Sequence, residues 1–213
     1  MGGGVIGRTD PISNEAAGRA PKRRRSVAAP ARFLDPIMAL IERIDRRRRG
    51  IHSVRARAVL GLELRRHRGR PVTLADGAAV RSGDLVGSLH FDNVRMRELT
   101  AGGSLGPAWT QGRGDLAALA EWSASRDRSV RPVAYWGEGL HGAFAARVGF
   151  ELRPRGRTPF RRLQDWYFRG LMARWSRQGW RRLGVGRHEL HASEYWISAA
   201  RLEAIHSRAR NTD

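Results

Sequence analysis

The apolar positions of this chain change period several times, and each change marks an expected element. Leu34, Ile37, Met38, Ile41 and Ile44 recur at helical spacing. Asp35 before Pro36 fits an N-cap with proline in the first turn, while the arginines at 46–49 and Gly50 suit a helix C-terminus. A helix is therefore expected near 35–49. From Val54 onward the period falls to two. Val59, Leu60, Leu62 and Leu64 predict a strand near 57–65, and Val72 and Leu74 lead into Asp76-Gly77, a strong hairpin signal between strands near 71–75 and 79–81. Ser82-Gly83-Asp84 turns the chain again. Leu85, Val86, Leu89 and Phe91 then predict a central strand near 85–92.

Beyond a glycine-rich loop at 101–107, Leu116, Leu119, Ala120 and Trp122 give one apolar helix face near 107–125. A strand near 130–136 follows, then a helix near 138–148 spaced by Leu140, Phe144 and Val148, and a strand near 150–154 opened by Gly149-Phe150. Thr158-Pro159 is a second N-cap, and Phe160, Leu163, Tyr167, Leu171 and Trp175 form a stripe that predicts a helix near 159–180. Leu190, Ser193, Trp196 and Ile197 predict a strand near 189–197, after which Ser198 caps a helix near 199–208. The fold class expected from this order is α/β, with a mixed, largely antiparallel sheet flanked by helices.

Composition sets the boundaries. With 213 residues, 41% of them apolar, the chain can bury one core, expected as a single domain over 33–208. Residues 1–30 hold few large apolar groups and are expected as a disordered basic tail. The net charge of +20 comes almost wholly from arginine, Lys22 being the only lysine. Such an excess points to anionic surroundings, whether nucleic acid, acidic lipid or acidic polymer. A weak polyanion contact through Lys22, Arg23, Arg24 and Arg25 is expected, because the tail carries charge without interleaved aromatics. The alternative, a nucleic-acid site, would expose Trp166, Trp175 or Trp180 on one continuous basic face. Cysteine is absent, which excludes disulfides, thiolate metal sites and cysteine nucleophiles. No apolar run approaches the roughly 20 residues of a bilayer span and no signal-peptide core follows the start, so a cytoplasmic protein is expected. The basic helix at 35–49 is the segment suited to a peripheral contact with the inner membrane face.

Candidate chemistry gathers around the central strand. Glycines at 102, 103 and 106 permit close backbone approach, and amides at a helix start attract anions. The commoner role of such glycines is to end one element and begin the next. The candidate ligand contacts are Asn93, Gly102, Gly103, Ser104, Gly106 and His141, and the candidate general bases are His90 and Glu98. His188-x-x-His191 lacks further ligands at defined positions, so no metal site is expected. Ser104 lacks the Gly-x-Ser-x-Gly context of an activated nucleophile. Asp92, Glu98, Asp115 and Glu138 are carboxylates that one cleft can gather.

The segments GDLVGSLHFDN, SLGPAW, YWGEGLHGAFAARVGFELRP and HASEYWIS resemble the YkoP-like family, a small bacterial domain of uncharacterised function found alone and fused to polysaccharide deacetylases. Asp76, Gly77, Gly83, Asp84, Gly87, His90, Asn93, Ser104, Gly149, Phe150, Ser193 and Ser198 carry the resemblance, which covers roughly residues 55–205. It implies an association with polysaccharide or the cell envelope and brings no catalytic residues. The layout is also similar to GNAT-type N-acyltransferases, in which a central strand leads to a pyrophosphate loop and helix. That similarity implies a GNAT-like three-layer arrangement and acyl-CoA as cofactor. Leu99 stands where that loop has Arg or Gln, and Ser104 where it has Gly or Ala, so the implied cofactor site is degenerate.

Overall fold

A computed structural model describes residues 40, 43–44, 46–140, 142–154, 158–175 and 192–206. Its strands are β1 (His52–Ser53), β2 (Leu60–Arg66), β3 (Val72–Thr73), β4 (Ala79–Val80), β5 (Leu85–Phe91), β6 (Ala134–Gly139), β7 (Glu151–Pro154) and β8 (Ser193–Ser198). The helices are α1 (Asn93–Thr100), α2 (Gly106–Ala124), α3 (Gly142–Arg147), α4 (Pro159–Trp175) and α5 (Ala199–His206). Six strands form one sheet in the order β1-β2-β5-β6-β8-β7, and β3 and β4 form a separate hairpin. The β5–β6 pair is parallel and every other pair is antiparallel, so the class is the mixed, mostly antiparallel α/β one expected.

Period-two alternation assigns the two sheet faces. Leu60 and Leu62 of β2, Leu89 of β5, Tyr135 of β6 and Ile197 of β8 turn to one face, where Leu116 and Leu119 of α2 and Leu202 of α5 complete the main core. Complete burial of side chains such as Leu116 or Ile197 contributes about 1.5–3 kcal/mol each. On the other face, Val86, Ala134 and Trp196 pack under Leu74 and Val80 of the hairpin. Asp76-Gly77 makes that hairpin turn, with Gly77 at φ +84°. The Ser198 hydroxyl ties the hairpin to the sheet by donating to Asp76, and it also accepts from Arg201 N at 3.0 Å as the N-cap of α5. Thr158 caps α4 through a 3.2 Å bond from Arg161 N.

The structure departs from these expectations in three places. The apolar run at 130–136 predicts a strand there, yet β6 begins at Ala134 and continues through Gly137 and Gly139, with Val130 exposed in a loop. The helix expected near 138–148 begins accordingly later, at Gly142. Residues 93–100, to which the sequence pattern assigns no element, form α1, whose arginine-rich sequence offers only Met96 and Thr100 as buried positions and so hides its helical period. The helix expected near 35–49 agrees with its described residues: 40, 43–44 and 46–49 are helical and Gly50 follows at φ +62°. The tail at 1–30, residues 176–180 and residues 189–191 lie outside the described residues.

Candidate functional site

The parallel seam of the sheet is short. Val86, Gly87 and Ser88 pair with Ala134, Tyr135 and Trp136, and there the ladder between β5 and β6 ends. Beyond it, Leu89, His90 and Phe91 stay paired with β2, while Gly137, Glu138 and Gly139 stay paired with β8. A cavity of about 1000 Å³ lies where the two strands part, lined by Ser88, Leu89, His90 and Phe91 from β5 and by Trp136, Glu138, Gly139 and Leu140 from the β6 side. Ligands of sheets with parallel strands commonly sit at such carboxyl ends.

Alternation along the strands selects what points inward. Glu63 and Arg65 of β2, Ser88 and His90 of β5, and Trp136 and Glu138 of β6 share the face opposite the main core. His90 Nε2 lies 2.9 Å from Glu63 Oε2, with both side chains mostly buried. Glu138 Oε2 accepts from Gln164 Nε2 of α4 at 3.0 Å. The Arg65 guanidinium lies 5.6 Å from the centre of the Trp136 ring, which itself stacks on Trp196. Tyr195 lies fully buried beside Gly137, and burial, reinforced by the nearby Glu138 charge, pushes its hydroxyl pKa far up.

The rim is cationic. Arg43, Arg46, Arg47, Arg49, Arg57, Arg65 and Arg95 line the cavity against Asp92, Glu98 and Glu138. Arg46 pairs with Asp92 at 3.2 Å and Arg95 with Glu98 at 2.7 Å. Asp92 is also the N-cap of α1, accepting from Arg95 N at 2.9 Å. That carboxylate occupies the helix start and opposes an incoming anion there.

Of the candidate residues, His90, Glu98 and Asn93 line the cavity, whereas Gly102, Gly103, Ser104 and Gly106 are absent from its lining. The glycine loop also follows α1 rather than the central strand directly. Gly103 N donates to Thr100 O at 2.8 Å and Gly106 N to Ser104 Oγ at 3.1 Å. These internal bonds occupy amides that a pyrophosphate would need. His141, His188, His191, the tail Lys22, Arg23, Arg24 and Arg25, and the side chains of Trp166, Trp175 and Trp180 lie outside the described residues. Among the described tryptophans, Trp109, Trp122 and Trp136 are partly buried and Trp196 is buried. No group of three or more His, Asp or Glu suited to a metal ion occurs among the described residues.

Of the four carboxylates read as possible cleft groups, Asp115 is instead fully buried outside the cavity. It accepts from Val59 N at 2.7 Å, Leu60 N at 3.1 Å and Arg55 Nε at 2.7 Å, fastening α2 to the chain entering β2. Sequence reasoning passed over Glu63 and Gln164. Glu63 carried a usable signal, since it alternates with Leu62 and Leu64; Gln164 did not, because its role depends on where α4 crosses the strand ends.

Among the described residues no helix is long and apolar enough to cross a membrane. No curated protein and no solved structure matches the chain. The YkoP domain model matches residues 31–206, and the chain thus belongs to the YkoP family.

Proposed function

We propose that this protein is a binding module, an acyltransferase-like unit with a degenerate cofactor loop, that takes an anionic, glycan-related ligand near the cell envelope. The observation that carries the reading is the cavity at the parting of β5 and β6, with seven arginines against three carboxylates in its lining. Guanidinium groups bind carboxylate and phosphate through paired N–H donors, and Trp136, Phe91 and Tyr167 provide ring surface for an uncharged part of the ligand. His90 and Asn93 are the proposed polar contacts inside. The glycan and envelope parts of the proposal rest on the family resemblance, which implies an association with polysaccharide or the cell envelope. A cytoplasmic setting is proposed from the sequence expectation above, and a peripheral contact at the membrane face from the arginine charge. Thermal-shift titration with acyl-CoAs, nucleotide sugars and anionic polymers tests the reading. Saturable stabilisation by an anionic sugar is expected, and no stabilisation by any of them defeats it.

A second reading, an active N-acyltransferase using acyl-CoA, is favoured by one observation: Glu63 holds His90 in the cavity as a carboxylate holds a general base. Glu98, paired with Arg95, is the weaker base on this reading. Saturable acetyl-CoA binding that Gly103→Val abolishes would support it. The internally bonded loop leads us to expect no such binding.

A further inference from the structure

We infer that Arg57 is the residue through which the cavity recognises an oxyanion and that Asp115 and Gln111 position it, an inference that rests on reading the cavity as an anion site. Arg57 lines the cavity with φ +57°, the left-handed region, and is the one non-glycine among the described residues with positive φ. A side chain is strained there, and such conformations persist where the surroundings fix them. The surroundings do so here. Asp115, fully buried, holds Arg55 on one side of the turn and the amides of Val59 and Leu60 on the other. Gln111 Nε2, one helical turn from Asp115, donates to the Arg57 carbonyl at 3.3 Å and lies 3.4 Å from Asp115 Oδ1.

A segment that only had to turn would be easier to build with glycine, which occupies every other positive-φ position described: 50, 77, 83, 103 and 149. The chain places arginine at this one. Its guanidinium is exposed and has no carboxylate partner among the described residues, whereas Arg46 and Arg95 of the same cavity are held by Asp92 and Glu98, and Arg55 by Asp115. A fixed backbone beneath an uncommitted fork of N–H donors suits a phosphate or carboxylate group, which accepts two parallel hydrogen bonds.

The test is calorimetric titration of the full chain with inorganic pyrophosphate and with trigalacturonate, alongside melting temperatures. Whichever probe the wild type prefers identifies the oxyanion as phosphate or as sugar carboxylate. Arg57→Gly is expected to weaken that binding at least about tenfold, the loss of a bidentate contact, while the melting temperature holds or rises by about 1–4 °C through relief of strain. Arg47→Ala, which removes an exposed rim charge from relaxed helical backbone, is expected to weaken binding by less than about threefold. Unchanged binding in Arg57→Gly, an equal loss in Arg47→Ala, or a fall of several degrees in the Arg57→Gly melting temperature overturns the inference while leaving the anion site standing. A wild type that binds neither probe defeats the anion-site reading itself.

Discussion

At Gly137 a methyl group would stand 2.2 Å from Cε2 of Tyr195, its neighbour across β8, and at Gly87 it would stand 2.4 Å from Cδ1 of Tyr135 across β6. Both glycines are seats for aromatic rings rather than turn residues. Gly137→Ala is expected to lower unfolding stability by about 1–3 kcal/mol, the usual range for overpacking a well-filled interior, measurable as a reduced urea midpoint. An unchanged midpoint would mean that the Tyr195 ring can move aside at no cost. Residues whose partner is local were legible in the sequence: Gly50 after its helix, Gly77 in its hairpin, and Thr158 and Ser198 at their caps. Gly87, Gly137 and Asp115 were not. Each answers to a partner about 50 to 60 residues distant, and nothing in the flanking sequence tells a seat for a ring from a break in a strand.

Between elements, Ser198 has two duties. It caps α5 and joins the β3–β4 hairpin to the sheet through Asp76, alongside the bonds from Ala75 N to Glu151 Oε2 at 2.7 Å and from Arg153 to Thr73 O. Ser198→Ala is expected to cost about 1–2 kcal/mol by urea unfolding, more than a surface cap alone. Pairing it with Asp76→Ala should give less than the sum of the two single losses, since either change removes the same bond. Additive losses would show that the two residues act separately. Elements with a strong apolar period, such as α2, β2 and β5, were readable near their true limits, and α4 at its start. Helix α1 was not, because only one side of it meets the core and arginines fill the other. The candidate site divides in the same way: His90, Asn93 and Glu98 line the cavity, but the glycine loop does not, since α1 carries it away from the strand end.

For the molecule as a whole, two buried tyrosines set the alkaline limit of stability. Burial pushes the Tyr135 hydroxyl up to about 12, partly offset by the nearby Ser123 side chain, and pushes Tyr195 up as well. Their folded pKa values exceed the ordinary value near 10, so their contribution is fully present below pH 10 and is lost as pH rises above it. Stability is expected to fall by roughly 1.4 kcal/mol per tyrosine per pH unit between about pH 10 and 12, and Tyr195→Phe should halve that slope in urea melts. His206, held low chiefly by burial, works at the acid side: its contribution is present above about pH 6.5 and fades as pH falls below it. The short parallel seam has a further consequence for how the chain can be divided. Strands β1, β2 and β5 all precede residue 92 and β6, β7 and β8 all follow residue 133, so each half of the sheet is one uninterrupted stretch of sequence. Residues 126–130 between them are exposed. A cut there severs no strand, and the two pieces meet within the sheet along only three residue pairs, which makes this a natural split-protein scaffold whose rejoining a cavity ligand would report.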